Sequence, residues 1–288
     1  MNKKHSFVVS LGGVTISIQS DKKLFIELAK YGFKGYVSLD KDPGITVNVI
    51  IDDLRDSNTY SYGRPHHISV IFESGKFFLR GSSYSGTFDI NSLKGEVRQS
   101  IAIAPLYLFL RFVLSVYLPL LDGFIMHSNS ILKDDECFLF SGKPQSGKST
   151  VAKLSNEYKI LSDDFSIIRR MSESFKAYGS PFWGHVEVKG ENIKNKNGYV
   201  DIKGIYFLNK DTSVYVHRLD KKEAVLKVIE NMAILAKSRD INTRLIRLAD
   251  EFTDNVSVGR LHFRPDKSFW RDIENDRNVR ITESGNSL

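Results

Sequence analysis

The sequence predicts an α/β (α+β) protein with a β-rich first part and a second part that mixes strands and helices. Three observations lead to this prediction. The first hundred residues contain short strands with alternating apolar and polar residues. Helical patterns begin near residue 100. A glycine-rich loop then lies between an apolar strand and a helix. We therefore expect a β-rich N-terminal domain over 1–100, a second domain over 101–275 and a polar, disordered tail over 276–288.

The composition is that of an ordinary globular protein with a basic surplus. The chain has 288 residues, of which 41% are hydrophobic, and its net charge is +7. That charge suits an acidic ligand such as a polyphosphate, but no nucleic-acid motif is present and the basic residues are spread, so we expect no nucleic-acid partner. The single cysteine, Cys137, lies in an apolar run. It predicts a buried thiol, no intrachain disulfide and a reducing, cytoplasmic location.

One segment is apolar enough to raise the question of a membrane span. Residues 101–126 contain only two charged residues and are long enough to cross a bilayer. However, Arg111 lies near the middle of this segment, where a charge is costly in lipid, and Pro105 and Pro119 interrupt it. We therefore predict a buried core helix over about 102–121 and no membrane association.

The first hundred residues are predicted to be strands and turns without a catalytic motif. Gly12 and Gly13 separate two short strands, and Ser74-Gly75 separates the strands of a hairpin. The predicted strands are 6–11, 14–20, 45–52, 67–73 and 76–80, and the predicted loops are 60–65 and 81–86.

After the apolar helix, the pattern alternates between strands and helices. The predicted strands are 123–132, 137–141, 160–162, 165–169, 186–189, 204–209 and 256–263. The predicted helices are 148–158, 222–236, 241–252 and 266–274.

The glycine-rich segment has the pattern of a phosphate-binding loop (P-loop), G-x-x-x-x-G-K-[ST]. Its glycines allow the backbone to wrap around phosphates, and successive N–H groups face the negative charge. Lys148 would reach the β- and γ-phosphates, and the Ser149 hydroxyl would bind Mg²⁺. The expected nucleotide-binding residues are Gly142, Lys143, Pro144, Gln145, Ser146, Gly147, Lys148, Ser149 and Thr150.

Asp163 and Asp164 end the strand that follows this loop and helix. The tip of such a strand lies on the ligand side of an α/β sheet, where one carboxylate can hold Mg²⁺ and another can accept a hydroxyl proton. An Asp turn or a helix cap would also explain the pair. His127, in the strand before the loop, is either a core residue or a functional one.

Together these residues resemble the catalytic domain of HPr kinase/phosphorylase and its relatives. The resemblance covers roughly residues 100–275 and is carried by the segments 126–127, 138–140, 142–149 and 161–164. Residues 186–190 look like the family's aliphatic-Glu-aliphatic-Arg-Gly signature, with Lys189 in place of Arg. Residues 180–184 and 261–266 are more similar to divergent relatives, which include lasso-peptide tailoring kinases that phosphorylate a serine of a precursor peptide. The β-rich first hundred residues also match that divergent group better.

The resemblance implies a P-loop-containing, HPr kinase-like catalytic domain that uses ATP, or another nucleoside triphosphate, and Mg²⁺. It would transfer the γ-phosphoryl group to a serine hydroxyl of a peptide or small protein. In that case Lys148 neutralises phosphate charge, and Ser149 and Asp164 hold the metal. Asp163 is the base, with the reverse assignment of the two aspartates left open. His127 lies near the transferring phosphate, Glu187 supports or binds the metal, and a homo-oligomer is a possible assembly.

Three other functions are compatible with the same residues. A carboxykinase-like phosphotransferase acting on a small metabolite would need clustered cations for carboxylates, and Arg169-Arg170 could supply them. A regulatory nucleotide-binding module would bind but not turn over its ligand. Nucleic-acid binding has only the net charge in its favour.

Overall fold

Two large β-sheets with helices packed against them make up the described part of the chain. The computed structural model describes residues 3–52, 68–182, 198–233 and 238–276. Its α-helices are α1 (Lys23–Gly32), α2 (Ala104–Tyr117), α3 (Lys148–Leu154), α4 (Lys221–Asn231) and α5 (Arg239–Asn255). A short 3-10 helix, Leu118–Leu121, extends α2, and residues 269–276 form a last helical segment. The mixed α/β fold class expected from the sequence is confirmed.

The first sheet uses strands from the N-terminal hundred residues. They are β1 (His5–Leu11), β2 (Val14–Ser20), β3 (Val37–Ser38), β4 (Ile45–Ile51), β5 (Ser69–Glu73), β6 (Lys76–Arg80), β7 (Tyr84–Asp89) and β8 (Lys94–Gln99). Their order in the sheet is β3-β1-β2-β4-β8-β7-β6-β5. Strands β2, β4 and β8 run parallel to their neighbours in that group, and the other pairs are antiparallel.

Period-two alternation explains why these segments form strands. In β6, Phe77 and Leu79 are buried while Lys76, Phe78 and Arg80 are exposed. The β1–β2 turn at residues 12–13 and the β5–β6 hairpin both lie where the sequence predicts them.

The second sheet holds the remaining strands. They are β9 (Gly123–Lys133), β10 (Glu136–Ser141), β11 (Lys159–Ser162), β12 (Phe165–Met171), β13 (Ser174–Tyr178), β14 (Tyr199–Lys210), β15 (Tyr215–Arg218) and β16 (Ser257–Phe263). Strands β9, β12, β13, β14 and β10 pair in a closed ring, because β14 contacts β13 with its first residues and β10 with its later ones. The parallel group β10, β14 and β16 brings three carboxyl ends to one edge.

Helix α2 lies between the two sheets and shares a hydrophobic core with both. Phe109 and Phe112 of α2 are fully buried. Phe109 packs directly on the backbone of the first sheet, since a Cβ at Gly86 would lie 2.7 Å from its ring. The stretch Ala104–Leu121 is long and apolar enough to cross a membrane, but 67% of it is buried inside the protein. The prediction of a buried core helix is confirmed, and the domain boundary near residue 100 stays a prediction.

Several elements differ from the sequence-based expectation. Helix α1 was not predicted, because its apolar face is short and lies in a region dominated by strands. Strand β7 begins at Tyr84, inside the loop predicted over 81–86, because it pairs with both β6 and β8. Helices α3 and α4 end at Leu154 and Asn231, earlier than their apolar periodicity suggested.

Some sequence-based predictions lie outside the described residues. They are the loop over 60–65, the strand over 186–189 with Glu187, and the tail after residue 276.

Candidate functional site

The site lies at the middle of strand β9, which has β12 and then β11 along one edge and β10 along the other. Up to His127, β9 pairs with β12, and His127 lies opposite Phe165. From Ser128 onwards it pairs with β10, and Ser128 lies opposite Ser141, the last residue before the glycine-rich loop. The end of β10 and the start of β12 therefore lie on either side of the middle of β9.

At two positions, the backbone of the glycine-rich loop adopts a conformation that favours glycine. Gly142 and Gly147 have φ angles of 149° and 111°, and Gln145 also has a positive φ of 66°. A Cβ at Gly147 would lie 2.5 Å from a ring carbon of Phe263, and one at Gly142 would lie 2.7 Å from the Ser146 hydroxyl. The backbone path of the loop therefore explains why glycine occupies positions 142 and 147.

Lys148 lies at the first position of α3, and its side chain turns back over the loop. Its ammonium donates a hydrogen bond of 2.8 Å to the Gly142 carbonyl. Burial lowers the pKa of Lys148, and the nearby Asp164 carboxylate acts in the opposite direction. The electrostatic coupling shows that Asp164, which follows β11, lies near the loop lysine.

Asp164 also contacts the histidine of β9. His127 Nε2 lies 2.9 Å from Asp164 Oδ1, and both side chains are about one-third exposed. The imidazole ring stacks on Phe165, with centroids 5.2 Å apart and planes at 23°. The structure thus brings His127, Lys148 and Asp164 together beside the loop.

Asp163 and Ser149 differ sharply in exposure. Asp163 is only 5% exposed, whereas Ser149, at the second residue of α3, is exposed to solvent. Asp163 directly precedes Asp164 and lies at the carboxyl end of β11, as the sequence predicts. The pair is therefore at a strand tip, where Asp164 contacts His127.

These residues fit a nucleotide-bound Mg²⁺ ion rather than a metal held by protein alone. Within the described ranges, no three His, Cys, Asp or Glu side chains are grouped closely enough to form a metal site. Mg²⁺ commonly takes one or two protein oxygens together with phosphates and waters. The Ser149 hydroxyl and the Asp164 carboxylate supply that kind of donor, and Glu187 lies outside the described residues.

A groove of about 760 Å³ is lined by the loop, the carboxyl end of β14, the end of α4 and Arg260 of β16. Its lining contains His127 and the loop residues Gly142–Ser146 together with Lys210, Lys227 and Arg260. Lys227 pairs with Glu230 at 2.7 Å, and Arg260 pairs with Glu223. The groove is therefore polar and moderately basic.

Arg169 and Arg170, considered above for carboxylate binding, have structural contacts instead. Arg169 donates to the carbonyls of Gly12 and Leu121, which joins the second sheet to a turn of the first. Arg170 pairs with Asp122 and Glu251. Neither arginine lines the groove.

Two asparagines of the site were missed by sequence reasoning. The Asn129 side-chain amide donates a 2.6 Å hydrogen bond to the Lys148 carbonyl. Asn231, at the end of α4, lies 2.9 Å from the Ser141 hydroxyl, which also donates to the His127 carbonyl at 2.7 Å. A buried amide in the apolar strand β9 was a visible signal for Asn129, whereas nothing in the sequence relates Asn231 to residues 90 positions earlier.

Comparison with known proteins finds similarity among solved structures. No protein-family model matches the chain, and no curated protein matches it either. Among solved structures, the chain is similar to the Hpr(Ser) kinase/phosphatase from Coxiella burnetii. The identity is 15%, the TM-score is 0.32, and the alignment covers 56% of this chain and 93% of that one. At that level the similarity assigns no role to any residue.

The class of protein is defined by the chain's own geometry. It is an α/β protein with a strand, a phosphate-binding-type loop and a helix at the carboxyl edge of parallel strands, which is the edge where such sheets bind ligands. The neighbouring His127, Asp164 and Lys148 make this edge the candidate active site.

Proposed function

We propose that this protein is an ATP- and Mg²⁺-dependent kinase that transfers a phosphoryl group to a serine hydroxyl of a peptide or small protein. The observation that carries the proposal is the convergence of Lys148, Asp164 and His127 beside the glycine-rich loop. A loop that only bound a nucleotide would not need a carboxylate–imidazole pair next to its lysine.

In the proposed reaction, the serine oxygen forms a bond to the γ-phosphorus of ATP. The bond between that phosphorus and the bridging oxygen breaks, and ADP leaves with the electron pair. Asp163 accepts the hydroxyl proton, and Lys148 neutralises charge on the phosphate oxygens. A bound Mg²⁺ would add further charge neutralisation, held by Ser149 and Asp164.

The burial of Asp163 and the position of Asp164 support this division of roles. Asp164 lies close enough to Lys148 to affect its pKa, so it is near the place where phosphate charge would be. Asp163 is 5% exposed, and a carboxylate shielded from water keeps the proton transfer separate from solvent. His127 contacts Asp164 and lines the groove, which supports a position beside the transferring phosphate.

The groove leaves space for an acceptor beside the loop. Its volume of about 760 Å³ is that of a small-ligand site, and its lining extends from the loop to the end of β14. The small-metabolite alternative loses the feature that favoured it, since Arg169 and Arg170 make structural contacts. We keep a precursor peptide as the preferred acceptor, a cytoplasmic location, and the expectation of no nucleic-acid or membrane partner as parts of the proposal.

A transfer assay on paired peptides tests the proposal. Purified protein, Mg²⁺ and ATP labelled at the γ-phosphate are incubated with arrayed serine peptides and with copies in which alanine replaces serine. The expected result is acid-stable label on a subset of serine peptides and none on their alanine copies. Label found only on small metabolites would contradict the proposal and support the small-metabolite phosphotransferase. Nucleotide binding without any transfer would support a regulatory nucleotide-binding module.

A further inference from the structure

Helix α2 contains a single charged residue, Arg111, in an otherwise apolar core helix. A buried or half-buried guanidinium is costly unless its charge is compensated by a favourable contact. Arg111 is at intermediate exposure, between the fully buried Leu110 and Phe112. We therefore expect the Arg111 guanidinium to make a contact that compensates for its partial burial.

The contacts of Arg111 connect the first sheet to the candidate site. Its guanidinium carbon lies 4.1 Å from the centre of the Phe165 ring, a close cation–π distance. In the first sheet, the charge of Arg111 acts electrostatically on the buried Tyr84 of β7. Burial raises the pKa of Tyr84 to about 12, and the charge of Arg111 acts against that rise.

Phe165 transmits this contact directly to the site histidine. It follows Asp164 in the chain, lies opposite His127 in the β9–β12 pairing, and stacks on the imidazole ring at 5.2 Å. His127 in turn reaches Asp164 at 2.9 Å. A ring that is held by a cation has less freedom to rotate, so the plane of its stacking partner is also restrained.

We propose that Arg111 is a positioning residue, which fixes Phe165 and through it the orientation of the His127 imidazole toward Asp164. The expected effect of Arg111 on turnover rests on the proposed function. Its expected effect on the His127 ring rests only on the observed stack. It also gives α2 a role beyond packing, because the helix that joins the two sheets supports the site from the side of the first sheet.

The test compares Arg111→Met, which keeps an apolar chain and loses the cation, with Arg111→Lys, which keeps a cation. Arg170→Met is the matched control, because it removes a β12 arginine with ion pairs to Asp122 and Glu251 but no contact with the stack. Three quantities are measured on the full chain: the Kd for ATP, the rate of γ-phosphate release or transfer, and the His127 ring resonances in proton–nitrogen correlation spectra.

The expected result for Arg111→Met is a rate reduced roughly tenfold with an ATP Kd within about twofold, together with shifted His127 resonances. Arg111→Lys should retain the rate within about threefold. Arg170→Met should leave the His127 resonances in place. Unchanged rate and resonances in Arg111→Met would overturn the proposal, as would an equal loss of ATP binding and turnover.

A variant that fails to fold is replaced by a double-mutant cycle with Phe165→Leu. If Arg111 acts through Phe165, Arg111→Gln, which removes the cation and keeps a polar side chain, has no further effect once the ring is absent. Additive effects of the two substitutions would contradict the proposal. If the wild-type protein shows no turnover, the proposed function has failed, and the His127 resonances still decide whether Arg111 positions the ring.

Discussion

Asn129 and Lys148 are joined by a 2.6 Å hydrogen bond from the side-chain amide of the asparagine to the backbone carbonyl of the lysine. This bond fixes the first residue of α3 to strand β9. Strand β10 fixes the other end of the loop at Ser141, which pairs with Ser128 of the same strand β9. The loop is therefore held at both ends by one strand, and this arrangement preorganises its backbone.

Replacing Asn129 with alanine should destabilise this anchor. The variant removes a partly buried hydrogen bond, so the free energy of unfolding should fall by about 1–3 kcal/mol and ATP binding should weaken. Chemical denaturation and equilibrium binding measure the two effects. Asn48→Ala is the control, because Asn48 lies at the surface of β4 and its contacts to Lys4 and Glu96 are exposed. Equal stability of the two variants would show that the anchor has no effect.

Gly147→Ala should disrupt the loop more than Asn129→Ala does, because it changes the loop backbone itself. The added Cβ meets the Phe263 ring at 2.5 Å, and the φ of 111° is strained for any residue with a Cβ. We expect ATP affinity to fall by roughly 5- to 150-fold, because strain of about 1–3 kcal/mol opposes the binding conformation. Gly44→Ala is matched to it, since its added Cβ meets no atom closer than 3.7 Å. Normal binding by Gly147→Ala would contradict the described loop path.

Asp163→Asn and Asp164→Asn should separate proton transfer from metal binding. Asp163→Asn keeps the shape of the side chain but cannot accept a proton, so transfer should fall by roughly 10²–10⁴ while the ATP Kd stays within a few-fold. Asp164→Asn removes a charge near Lys148 and should also raise the Mg²⁺ concentration needed for activity. A Mg²⁺ titration of both variants measures this difference. If only Asp163→Asn shifts the metal dependence, the two roles are exchanged, and full activity in EDTA would exclude the metal.

Cys137 should be unreactive while the protein is folded. Its side chain is fully buried in β10, and burial raises the pKa of the thiol, so almost no thiolate is present at neutral pH. A thiol reagent such as iodoacetamide should modify the native protein slowly and the urea-unfolded protein rapidly. Fast modification under native conditions would show that β10 and the adjoining loop open readily.

Much of the second sheet follows from local sequence patterns. The apolar runs of strands β9, β10, β11 and β16 are long enough to predict these strands from the sequence. The glycines of the loop occupy positions with positive φ angles, which explains why the sequence pattern identifies the loop. The burial of α2 was predictable as well, because a mid-helix Arg111 and two prolines disfavour a membrane span. The burial of Cys137 followed in the same way from its apolar neighbours.

The features that the sequence did not predict depend on contacts between distant residues. The stack of Arg111 on Phe165 and the contact of Asn231 with Ser141 join positions 54 and 90 residues apart, and no local pattern relates them. The placement of β10 and β12 on opposite edges of β9, next to His127, is likewise a property of the closed ring of strands. Helix α1 was missed because its buried residues, Phe25, Ile26 and Ala29, form only one short stripe.

The central claim is that Lys148 neutralises the charge of a transferring phosphate, and Lys148→Ala tests it most directly. ATP affinity and γ-phosphate transfer are measured together for this variant and for Lys153→Ala, which removes an exposed lysine from the same helix. The account predicts that Lys148→Ala lowers transfer by at least roughly 10²-fold and weakens ATP binding, whereas Lys153→Ala behaves as the wild type. Near-normal transfer by Lys148→Ala would contradict the assignment of this loop as the phosphate site of a kinase.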